Sequence, residues 1–155
     1  ISKEWKTEEI NITLPHPIRW IKRPNDMYVL MRGPLTYAVK IKERWKRITQ
    51  KIKRAPMVHE DYEVLCEDKW NYGISNTDVT FTEHPIGELP FSPETPPITA
   101  TVICKEIDWP LINGMAAEQP RLRKAISKAV EVEFIPYGCT NLRLTELPIL
   151  EEENE

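Results

Sequence analysis

The sequence predicts an all-β fold, a two-layer antiparallel β-sandwich. Three observations predict it. Roughly eight or nine short runs alternate apolar and polar residues with a period of two, as half-buried strands do. Turn signals separate the runs, and no helical runs alternate with them. Proline is abundant at 14 and glycine scarce at 5 among 155 residues, which favours rigid extended connections over flexible linkers. The length suits one ordinary domain, with enough chain to bury its own core.

The elements follow in order. Ile10, Ile12 and Leu14 alternate with Asn11 and Thr13, a short strand ending at Pro15 and Pro17. Ile18 to Ile21 is a second short piece. Tyr28-Val29-Leu30-Met31 is apolar throughout, as a strand buried on both faces would be. Gly33 permits a sharp bend, and Pro34 is tolerated where the next strand begins. Leu35, Tyr37, Val39 and Ile41 then form the cleanest period-two run. The basic stretch from Lys40 to Arg54 follows, with Glu43 as its one acid. Its Trp45, Ile48 and Ile52 fit the spacing of a short amphipathic helix; a loop fits equally well.

Tyr62 to Leu65 is a strand. Trp70 to Ile74 is an aromatic strand ending in a polar turn at Ser75-Asn76, and Val79 to Phe81 is another strand. Glu83 to Pro97 is loop. Ile98, Ala100, Val102 and Cys104 share one face of the next strand. After a second long connection, Glu118 to Lys128 has room for one or two helical turns, with Pro120 limiting the start. The closing hairpin runs from Val130 to Thr145. Val130, Val132 and Phe134 share the apolar face, Pro136 and Gly138 suit a type I turn, and Leu142 and Leu144 resume that face. The expected core is Leu35, Tyr37, Val39, Val132, Phe134, Leu142 and Leu144. The domain spans residues 1–148, and residues 149–155 read as an acidic, disordered tail.

Composition narrows the function. A formal net charge of −3 gives no global pull towards nucleic acid or an anionic membrane, so neither is expected as a partner. No apolar run approaches the roughly 18–20 residues that span a bilayer. The chain does not begin with Met, and Ile1 to Trp5 has no apolar h-region, so the compartment is left open. Cys66, Cys104 and Cys139 are sparse and odd in number, which reads as buried small hydrophobes rather than a disulfide framework. With His16, His59 and His84 they show no ligand spacing, so no metal and no cofactor is expected. Glycoside hydrolysis usually needs two carboxyl groups facing each other across a cleft. Glu60, Asp61 and Glu63 cluster along one strand instead, and no catalytic residue is expected.

Four stretches, in this order, resemble the C-terminal β-sandwich region of the β-L-arabinofuranosidase family, glycoside hydrolase family 127 and its relatives. Trp5 with Ile10-Asn11-Ile12-Thr13-Leu14-Pro15 is similar to the family's opening strand. Met31-Arg32-Gly33-Pro34-Leu35-Thr36-Tyr37-Ala38-Val39 is similar to its RGPLVYAL signature. Asp61 to Val64 with Trp70-Asn71-Tyr72-Gly73-Ile74 resembles a third stretch, with Gly73 where Ala is usual. Ile135 to Thr145 resembles the family's closing LPYGCTxLRIT. The Lys/Arg-rich insert after Val39 is a further departure.

The resemblance implies a bacterial parent glycoside hydrolase whose chemistry is housed in an α/α barrel preceding this region. It implies that this chain is a non-catalytic accessory domain with that barrel as its partner. Trp70, Asn71, Tyr72, Tyr137 and Arg143 are the candidates for interface or sugar contact, because Trp and Tyr pair a large apolar body with a polar tip. Sandwich loops cluster at the two ends of the sheets, and these five are expected together at one end. The alternative is an autonomous carbohydrate-binding module that holds a plant-type polysaccharide through a row of exposed, coplanar aromatics.

Overall fold

A computed structural model describes residues 11–48, 60–120 and 123–151. The fold is all-β. Its strands are β1 (Ile18–Arg23), β2 (Met27–Arg32), β3 (Leu35–Val39), β4 (Glu43–Arg47), β5 (Tyr62–Cys66) and β6 (Tyr72–Glu83). They continue with β7 (Ile98–Glu106), β8 (Leu111–Ile112), β9 (Met115–Ala116), β10 (Val130–Pro136) and β11 (Glu146–Pro148). Helical structure among the described residues is limited to two three-residue 3₁₀ turns, Pro24–Asp26 and Tyr137–Cys139.

One antiparallel sheet carries the fold, in the order β1-β2-β3-β10-β7-β6. It curls because β2 divides one of its edges. β1 pairs along the whole of one edge. On the other, β3 takes Met31 and Arg32 while β11 takes Met27 to Val29. Beyond β11, Ile149 bridges Ile74 of β6, and the Leu150 amide donates to the Ile74 carbonyl at 2.8 Å. The layers of the sandwich are therefore parts of one sheet folded over its own apolar face. Between them lie Met27, Leu30, Tyr37, Val39, Ile74, Val102, Cys104, Val132, Phe134 and Leu147. The inward phases expected for Tyr37, Val39, Val132 and Phe134 hold.

Several expectations need correction. Residues 142–145 form no strand, and the chain makes no hairpin after Pro136. β10 already has both edges occupied, by β3 at Phe134–Pro136 and by β7 at Val130–Phe134. The chain turns through Tyr137–Cys139 and crosses to β2 instead. Leu142 and Leu144 are consequently half-buried and pack on the core's margin. Leu35 is exposed although in phase with Tyr37, because Tyr37 pairs with Pro136, the last strand residue of β10.

Asn11 to Leu14 is not a strand, and Ile12 and Leu14 are exposed; Trp5 and Ile10 lie outside the described residues. The first part of the basic stretch is strand β4, paired with β5, rather than helix or loop. Residues 49–54 fall outside the description. Ser75-Asn76 is not a turn but an irregularity within β6, where the register to β7 shifts between Ile74 and Val79. No helix occurs among the described residues of 118–128. The fold also runs past residue 148, because Ile149 and Leu150 pack against the core. Of the expected tail, 152–155 lie outside the described residues.

Candidate functional site

The five candidate residues do not gather. Trp70 is only 8% exposed and packs on Trp109, ring centroids 5.1 Å apart. Asn71 braces the backbone: its Nδ2 donates to the Ile107 carbonyl at 2.6 Å, and the Ile107 amide donates back to the Asn71 carbonyl at 2.9 Å. Tyr72 is half-buried against the core, and burial pushes its hydroxyl pKa up. By contrast, Tyr137 is 43% exposed, and the Arg143 guanidinium lies over its ring at 4.7 Å.

Sheet register explains the separation. Tyr72 pairs with Glu106 at the end of β7, whereas Phe134 pairs with Ala100 near its start. Six strand residues span roughly 20 Å. Trp70, Asn71 and Tyr72 therefore lie towards one end of the sheet, and Tyr137 with Arg143 lies at the other. The single aromatic cluster expected from the sequence does not form, and the first three residues mark the fold.

At the Tyr137 end is an open groove of about 540 Å³. Its floor is Ile21 and Val29, which pair across β1 and β2, together with Met31. β2 is thus apolar on both faces, with Leu30 in the core and Val29 towards the groove. Pro34, Leu35 and Thr36 supply one side. Pro136, Tyr137 and Gly138, with Phe91, supply the other. A Cβ on Gly138 would stand 3.3 Å from the Phe91 ring, so glycine admits that ring at close range. Phe91 itself is 63% exposed. Nothing in the sequence of the 83–97 loop singled it out.

The groove's far wall is tied to the rest of the molecule by an interaction that sequence reasoning missed. Glu43, the first residue of β4, receives four hydrogen bonds from the segment after the 3₁₀ turn. Thr140 Oγ1 donates at 2.9 Å, the Asn141 amide at 2.6 Å, Asn141 Nδ2 at 2.9 Å and the Leu142 amide at 3.1 Å. Burial pushes the Glu43 carboxyl up, but these donors outweigh it and hold its pKa below the ordinary range. The next residue is held as well, because Arg143 Nε donates to the Thr140 carbonyl at 3.2 Å. The signal available in the sequence was only that Glu43 is the lone acid in a basic run.

Among the described residues of that run, the other charges are paired with carboxylates. Lys40 meets Glu133, Lys42 and Arg44 both meet Glu67, Lys46 meets Glu63, and Arg47 meets Glu60. Such exposed pairs contribute little stability, about 0–1 kcal/mol each, but they offset the positive charge of β4. Burial pushes the thiol pKa of Cys104 up to about 12 and also raises that of Cys139. Neither is suited to act as a thiolate near neutral pH. Among the described residues, no three His, Cys, Asp or Glu side chains gather as metal ligands would.

No protein-family model, curated protein or solved structure matches the chain. The likeness to the arabinofuranosidase region rests on the four stretches themselves. Two of them, Met31–Val39 and Ile135–Thr145, contribute to the same groove.

Proposed function

We propose that this chain is a non-catalytic β-sandwich region of a β-L-arabinofuranosidase-like glycoside hydrolase, and that the groove is the face that packs on the α/α catalytic barrel. One observation carries the reading. Two stretches resembling that family, far apart in sequence, converge on an apolar groove edged by exposed Leu35, Phe91 and Tyr137. Exposed apolar surface next to polar groups, here Arg143, Thr36 and Glu146, is the character of a domain interface. The incoming chain supports it too. His16 packs on Gly33, and the Gly33 amide donates to the Pro17 carbonyl at 3.0 Å, so an upstream domain would be tethered beside the groove.

A carbohydrate-binding role for the domain alone draws on Trp45 and Tyr62, an exposed aromatic pair on β4 and β5. Their rings meet edge to face at 69°, so they present no flat row to successive sugar rings. The groove reading is therefore preferred.

The test supplies the barrel region in trans to the 155-residue chain. Tyr137→Ala and Leu35→Ser should each weaken docking about tenfold or more, about 1.4 kcal/mol, with little change in the domain's own melting. Trp70→Ala should do the reverse, destabilising the domain because its side chain is buried. The chain alone should hydrolyse no arabinofuranoside. Docking that is indifferent to both groove variants would sink the proposal. Polysaccharide binding by the chain, lost in Trp45→Ala, would favour the binding module instead.

A further inference from the structure

Glu43 stands outside the groove, yet it holds the segment from which one groove wall is built. The wall residue Tyr137 is stacked by Arg143, and the Arg143 side chain is anchored to the Thr140 carbonyl. Thr140, Asn141 and Leu142 in turn all donate to the one Glu43 carboxylate. Thr140 is buried, so its hydroxyl has no ready exchange with solvent. We infer that Glu43 is a positioning residue for the groove, which through residues 140–142 keeps Arg143 stacked on Tyr137 and so fixes the shape of the wall that meets the barrel. The consequence for docking rests on the barrel-packing reading; the geometry of the wall does not.

A carboxylate suits this task. It accepts at two oxygens and can take backbone and side-chain donors together, and hydrogen bonds to a charged acceptor are the stronger kind. Gln at this position offers one accepting oxygen and turns a donor towards Asn141 Nδ2. The surrounding charges leave the carboxylate to these donors. Lys40 and Lys42 face Glu133 and Glu67, Asp68 accepts from the Lys42 amide at 3.2 Å, and Glu94 lines the same cleft from the opposite loop. Arg143 acts on the segment rather than on the carboxylate.

The experiment uses the 155-residue chain and two variants, Glu43→Gln and the near-isosteric Thr140→Val. By NMR, Glu43→Gln should speed hydrogen exchange of the Asn141 and Leu142 amides at least about tenfold and abolish the ring-current shift of the Arg143 side chain over Tyr137. Thr140→Val should move both signals the same way by less. In the unmodified chain the Arg143 shift should fade as the pH drops below the ordinary glutamate value of about 4.3, and in Glu43→Gln it should not titrate there. Docking of the barrel region should weaken in step with the loss of the Arg143 shift.

A Glu43→Gln chain that melts earlier but keeps the Arg143 shift would overturn the inference, because Glu43 would then be a structural brace only. If Glu43→Gln does not fold, Thr140→Val decides, and an unchanged Arg143 shift in it has the same meaning. Failure of the unmodified chain to dock would remove the barrel reading, while the Arg143 signals would still decide the role of Glu43.

Discussion

Phe134→Ala should lower the domain's stability by about 3–5 kcal/mol, the range for emptying a fully buried phenylalanine site. Phe134 is buried at the centre of the fold, on an interior strand of the sheet, opposite Val39 on one side and Ala100 on the other. Its neighbours belong to paired strands that cannot easily collapse into the space, which puts the cost near the upper part of that range. A natural domain typically has about 5–15 kcal/mol in all, so the variant should be close to half-unfolded in mild denaturant. Urea unfolding followed by tryptophan fluorescence measures it. A loss below about 1 kcal/mol would show that Phe134 does not occupy the core.

The second large effect involves a pair. Gly73 lies directly against Leu150. A Cβ there would lie 2.5 Å from Leu150 Cδ2, 2.8 Å from Leu150 Cγ and 3.2 Å from Ile107 Cγ2. Leu150 has taken the space an alanine would use. Gly73→Ala should therefore cost about 1–3 kcal/mol by overpacking. Leu150→Ala should cost about 2–5 kcal/mol by leaving a cavity. Combined, they should cost clearly less than the sum, because the new methyl enters the vacated space and the clash is gone. Additive losses in a double-mutant cycle of denaturant melts would show that the two side chains do not compete.

Much of the fold was legible because a period-two pattern reports which face of a strand is buried. Tyr37, Val39, Val132 and Phe134 all follow from it. The pattern does not report which strand lies alongside. That gap explains the misplaced closing hairpin: Leu142 and Leu144 keep the right spacing, but both edges of β10 are occupied by strands from elsewhere in the chain. Ile12 and Leu14 show the same limit, since alternation alone does not provide a partner. For the site, Tyr137 and Arg143 were legible as a turn-borne aromatic and a nearby cation. That Trp70, Asn71 and Tyr72 lie at the other end was not legible, because local sequence does not state towards which end of a sheet a strand begins. The hold of Glu43 on residues 140–142 was invisible, since its donors lie almost a hundred residues later and no spacing rule links them.

The divided edge of β2 also bears on how the molecule assembles. Its early partners, β1 and β3, are its neighbours in sequence, and they can form with short loops to close. The remaining length, Met27 to Val29, waits for Glu146 to Pro148 from the far end of the chain. Until those residues arrive, β2 presents backbone donors and acceptors without partners, next to an apolar face still open to water. Pairings this distant in sequence are slow to form, because the entropy of closing the intervening chain is lost before the contacts repay it. Residues Glu146 to Pro148 are thus those that close the sheet, and a chain halted short of them would keep a sticky edge.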